Sequence, residues 1–153
     1  MTTAAIVLAA MHAFPICWPE RADPRKVEQY ETIARAISDE ARDSDEAAAL
    51  IAIGYSESAF SLRVQSGELK GKASGLWQLE GRGKFVGLGL DDTTRSAHAA
   101  LQAWRHSWQC GHSLADRFTA YAAAPCGSTW PTLAKRVERF RFARYTIYRL
   151  EQA

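Results

Sequence analysis

The sequence predicts a mainly helical protein with one domain, on three observations. Apolar residues recur at three- and four-residue steps through most of the chain, which is the helical period. Strand-like alternation has almost nowhere to run, leaving room for at most a small β-hairpin or irregular loop in the middle of the sequence. A length of 153 residues suffices for one closed hydrophobic core, and 47% hydrophobic with 24% charged residues is ordinary for a globular chain, excluding a disordered or fibrous one.

The first stretch, "MTTAAIVLAAMHAFPICWPE", has an apolar centre like that of a secretion signal. No Lys or Arg precedes it, no small-residue cleavage pattern is clear, and it is too short to span a bilayer. It reads as a buried N-terminal helix ended by Pro15. From Pro24, Val27, Tyr30, Ile33, Ala34, Ile37 and Ala41 define the apolar stripe of an amphipathic helix with Pro near its start. In "DSDE", Asp43, Ser44 or Asp45 can cap the next helix, which begins by Glu46 and carries Glu57. Residues 61 to 74, "SLRVQSGELKGKAS", are polar with Gly67 and Gly71 as turn formers, so a loop or short hairpin is expected. Asp91 and Asp92 then cap "TTRSAHAALQAWRHSWQ", whose Ala97, Ala100, Leu101, Trp104 and Trp108 share a face. Another helix runs through "LADRFTAYAAA" until Pro125 and Gly127, and the last starts near Pro131.

The chemistry concentrates around "GYSESAF". Leu50, Ile53, Gly54 and Glu57 fall on one helical stripe, so an ionisable group ends an apolar run. Desolvation and the negative end of the helix dipole both disfavour its charge, which suits a general acid. The other reading is structural: Glu57 accepts hydrogen bonds from loop amides and pins the hairpin. Further on, "SGLWQLE" sets small Ser74 and Gly75 before Leu76, Trp77 and Gln78. Backbone can approach a ligand there, with an indole and an amide at hand for a sugar; a glycine turn before a core tryptophan is the plainer account.

The order "ESAF", Ser66 nine residues past Glu57, "ASGLWQ" and then "AYAAAP" resembles the soluble lytic transglycosylase and goose-type lysozyme superfamily over roughly residues 30 to 130. Several weak motifs in order are more specific than any one of them. The resemblance implies a lysozyme-like helical domain that cleaves the β-1,4 bond between N-acetylmuramic acid and N-acetylglucosamine in peptidoglycan. It implies Glu57 as catalytic acid and base, with Ser58, Ser66, Gly75, Trp77, Gln78 and Tyr121 on the substrate side. Trp77 replaces the usual Met, and "AYAAAP" has alanine where the motif has Asn. The implied mechanism needs no second carboxylate, because the substrate's own N-acetyl group assists; Glu68, Glu80 and Asp91 would favour hydrolysis if one of them joined the site, but read as loop charges or helix caps. Action at the bacterial wall or periplasm is expected, and the small size fits a phage or prophage protein, virion-associated or exported.

No cofactor is expected. His106, Cys110 and His112 lack the spacing of a closed zinc site, so no metal is expected either, and His12 and His98 read as packed or surface residues. Three cysteines cannot all pair: Cys110 and Cys126 flank a helix and bridge if the compartment oxidises, while Cys17 reads as a small buried hydrophobe. The C-terminal "AKRVERFRFARYTIYRL" is expected to bury Phe140, Tyr145 and Tyr148 and to keep Lys135, Arg136, Arg139, Arg141, Arg144 and Arg149 in water. With a net charge of only +2, nucleic acid is not an expected partner; glycan strands are, and the basic face suits anionic envelope polymers. The competing non-enzyme reading is a wall-binding or virion structural module.

Overall fold

A computed structural model describes residues 2–16, 20–68, 73–80 and 89–153. Helix α1, Ala4–His12, is capped by the Thr3 hydroxyl and ends three residues before Pro15. A 3-10 turn at Glu20–Ala22 leads into α2, Arg25–Glu40. Helix α3, Ser44–Ser58, begins at Asp43, whose carboxylate accepts from the Glu46 amide. A single helical turn, α4, Leu62–Gln65, follows under a Ser61 cap, where a loop or hairpin is expected from the sequence. Serine at its cap position explains the difference: the hydroxyl accepts from Arg63 N and organises a single turn too short to show a helical stripe.

The expected hairpin is minimal. Strand β1, Ala73–Ser74, pairs antiparallel with β2, Leu79–Glu80, in the register Ala73 to Glu80 and Ser74 to Leu79. Helix α5, Thr93–Arg105, is capped by Asp92 alone of the two aspartates, and a 3-10 turn at Ser107–Cys110 replaces the helical continuation expected through Gln109. Helix α6, Leu114–Tyr121, stops before its alanine run, and α7, Leu133–Glu151, closes the chain. The protein is thus mainly helical, and none of its described helices is long and apolar enough to cross a membrane.

One cluster of buried side chains extends from Val7 on α1 to Ile147 on α7. Helix α3 lies at its centre: every residue from Ala47 to Gly54 is buried, with α7 packed along it. Four expected core positions are exposed instead. Val27 lies outside because the α2 stripe starts at Lys26, whose ammonium is buried with Glu20 at 2.7 Å. Trp108 lies past the end of α5 and stacks over the Arg117 guanidinium. On α7 the buried stripe is Arg136, Phe140, Ala143 and Ile147, so only Phe140 of the three expected aromatics is buried; Tyr145 and Tyr148 are exposed, and Arg136 leaves the water. Cys110 and Cys126 form a disulfide with Cα atoms 5.1 Å apart, which removes Cys110 from any metal set. No metal-binding group occurs among the described residues. Cys17, Gly71 and the Glu80 side chain lie outside what is described.

Candidate active site

The C-terminal end of α3 is built by close packing beneath it. At Gly54 a Cβ would fall 2.3 Å from a Phe60 ring carbon and 3.0 Å from Trp77 Nε1, so only glycine lets those two rings reach the helix. Trp77 is completely buried and its Nε1 donates to Leu50 O at 2.8 Å. That corrects its expected place as a ligand-facing indole: with the ring inside, it is a foundation under the site. Gly75, also buried, takes φ of +73° and brings its backbone against Leu90 O and the Ser96 hydroxyl; the approach it permits is to the core.

Above this foundation the chain turns sharply. The Ser58 hydroxyl donates to Gly54 O at 3.0 Å and accepts from Phe60 N at 3.1 Å, so it is committed to ending α3. Ala59 and Phe60 then adopt φ of 48° and 52°. A buried pair holds this corner. Lys26 Nζ donates to Phe60 O and to Glu20, while Glu20 accepts from the Ser61 hydroxyl at 2.6 Å and from Leu62 N at 3.0 Å. Burial alone would push the Glu20 carboxyl up, but its bonds from Lys26, Ser61 and Leu62 outweigh that and hold it below the usual carboxylate range.

Glu57 projects from the last turn of α3 toward α7. Its Oε1 lies 2.6 Å from Arg136 Nη2, with the Arg136 side chain 7% and the Glu57 side chain 24% exposed. The isolated carboxyl expected from the sequence is therefore corrected to an ion-paired one. Arg136 in turn stacks its guanidinium 4.8 Å from the centre of the Trp130 ring. The next turn of α7 sends Arg139 to Ser56 Oγ at 2.9 Å, with its guanidinium over the Tyr55 ring. Tyr121 joins from the end of α6, donating to Trp77 O at 3.3 Å. Burial, and then the nearby Glu57 carboxylate, push the Tyr121 hydroxyl far up, so it remains a neutral donor throughout the ordinary pH range.

Gln78, at φ of 49°, turns its amide back to donate to Gly75 O at 2.8 Å. Ser66 ends α4, donates to Arg63 O at 3.2 Å, and lines a separate cavity of about 200 Å³ with Arg25, Gln65 and Glu68. Of the residues expected at the site, Glu57 and Tyr121 are brought together over Trp77; Ser58, Gly75 and Gln78 shape the backbone around them. Glu68 is exposed and paired with Arg63, and Asp91 is exposed.

Arg136 and Trp130 are the members that sequence reasoning missed. Arg136 falls four residues before Phe140 on the buried stripe of α7, a spacing that would have placed it inside had the charge not argued otherwise. No family model matches the chain, and neither a curated protein nor a solved structure does. The resemblance to the transglycosylase superfamily rests on the motifs alone.

Proposed function

We propose that this protein cleaves peptidoglycan glycan strands as a lytic transglycosylase, with Glu57 as the single acid and base. One observation carries the reading. Every non-glycine residue with positive φ among those described lies in one of the three motifs: Ala59 and Phe60 in "ESAF", Gln78 in "GLWQ" and Ala123 in "AYAAAP". Each such residue stores roughly 1–3 kcal/mol of strain, and strain of this kind concentrates where geometry serves function. Three separate segments thus hold unfavourable backbone, and Tyr121 of the third lies near Glu57 of the first.

In this mechanism Glu57 donates a proton to the glycosidic oxygen as the bond breaks. The substrate's own acetamido carbonyl stabilises the positive anomeric carbon, and Glu57 then takes the proton of the C6 hydroxyl, which closes a 1,6-anhydro ring. Tyr121, kept neutral and donating to Trp77 O, places no competing charge beside Glu57. Arg136 orients Glu57 through the 2.6 Å ion pair. Hydrolysis by a lysozyme route is the second reading; of its candidate bases, Glu68 is engaged by Arg63 at 3.2 Å.

Digestion of purified peptidoglycan with product analysis by mass spectrometry tests the proposal. Muropeptides with 1,6-anhydro ends are expected. Reducing-end products would make the protein a lysozyme, and no soluble product would leave a wall-binding module.

A further inference from the structure

With Trp77 sealed in the core, the glycan strand needs another flat apolar surface near Glu57. Among the described tryptophans, Trp77 and Trp104 are buried, Trp108 is 46% exposed and Trp130 is partly exposed. Trp108 stacks on Arg117 and His112, and Arg117 is tied to Trp104 O and the Ser107 hydroxyl, on the α5 and α6 side of the molecule. Trp130 instead shares its Arg136 neighbour with Glu57: the guanidinium lies 4.8 Å from the ring centre and 2.6 Å from the carboxylate.

We infer that Trp130 is the saccharide platform of the Glu57 site, stacking against the apolar face of an N-acetyl sugar one residue from the bond that is cut. This rests on the reading of the protein as a peptidoglycan enzyme. A single guanidinium bridges ring and carboxylate. The ring is also held in place. Its backbone carbonyl accepts from Leu133 N at 3.0 Å in the first turn of α7, and the Cys110–Cys126 disulfide anchors the loop four residues upstream. That loop starts at Tyr121, so one short segment carries both the Tyr121 hydroxyl near Glu57 and the indole on its Arg136 partner. Arg136 Nε and Nη1 and Trp130 Nε1 are buried without a hydrogen-bond acceptor among the described residues. A sugar rich in hydroxyl and acetamido oxygens is the class of ligand that brings the acceptors these groups lack, and the partly exposed Trp130 ring beside them offers it an apolar surface.

The test is binding of a soluble tetrasaccharide of alternating N-acetylglucosamine and N-acetylmuramic acid to full-length Glu57→Gln protein, by calorimetry. Adding Trp130→Ala should weaken binding about tenfold, the worth of one stacked aromatic. Trp130→Phe, which keeps a flat ring and the fold, should stay within about threefold of the parent, and Trp108→Ala should bind like the parent. In the wild-type background Trp130→Ala should raise KM and leave kcat unchanged. Unchanged binding by Trp130→Ala, or Phe as weak as Ala, overturns the assignment. A fall in kcat at constant KM also overturns it, because Trp130 would then act only through Arg136. Binding by the parent without cleavage by the wild type sinks the catalytic reading while the variants still decide Trp130; no binding at all sinks both.

Discussion

The two ends of α3 are built on opposite principles. At the start, Asp43 caps the Glu46 amide, Glu46 reaches back to Arg42 N at 2.9 Å, and Asp45 and Glu46 place negative charge where the helix dipole is positive. Glu46 also meets Arg105 at 2.7 Å across the α5 packing. Each local choice there favours stability. At the other end a carboxylate occupies the last turn with no basic residue beside it on the helix, and the next two residues are left-handed without being glycine. Local rules are broken at that end and repaired by long-range partners: Arg136, Lys26 with Glu20, and the buried Trp77. The contrast is what the proposed function expects, since local rules broken and then held by distant residues are found where stability gives way to function.

Mutating each end of α3 and reading both activity and stability separates the two roles. Glu57→Gln should lower the rate of muropeptide release by at least about 100-fold, the contribution of a positioned general acid. Glu46→Gln should leave the rate per folded molecule near wild type yet cost about 2 kcal/mol in denaturant unfolding, through loss of charged hydrogen bonds to Arg105 and Arg42. If both changes act alike on both readouts, the division of labour along α3 is wrong.

A pH titration sharpens the same contrast. Hydrogen bonds from Arg105, with the Arg42 amide, hold Glu46 below the ordinary carboxylate value of 4.5 against the cost of burial, and Glu20 is held low by its own partners. A depressed carboxyl contributes stability that is fully present above its unfolded value and lost as pH falls through its folded value. Unfolding free energy should therefore be flat from neutral pH to about 5 and fall below the 4.5 reference. In Glu46→Gln that fall should be shallower; an unchanged acid slope would show that the pair contributes nothing.

The smallest effect is at Ala59. Replacing a left-handed alanine by glycine relieves backbone strain but loosens the unfolded chain, so Ala59→Gly should stabilise by roughly 0.5–1 kcal/mol. Thermal unfolding checks this. Destabilisation would mean that the turn after Glu57 is not strained.

Much of the fold was legible in the sequence because helical periodicity and caps are local signals. Asp43, Asp92, Pro24 and the α2 stripe mark their helices where the structure has them. Exposure was harder to read, since it depends on partners far away. Lys26 goes inside because Glu20 and Phe60 O meet it, displacing Val27, and Arg136 goes inside because Glu57 meets it, displacing Tyr145 and Tyr148. At the candidate site the motifs marked Glu57 and Tyr121, but a glycine followed by a tryptophan reads equally as a ligand edge or a core turn. Only the close contact of Gly54 with the Phe60 and Trp77 rings decides for the core.

We propose that chemistry resides at one end of α3 and stability at the other, and the rate of soluble sugar release from purified peptidoglycan by wild type, Glu57→Gln and Glu46→Gln, each normalised to the folded fraction, decides it. Near-equal rates are expected for wild type and Glu46→Gln and a rate at least about 100-fold lower for Glu57→Gln. Equal release by wild type and Glu57→Gln, or none from any of the three, would overturn this division.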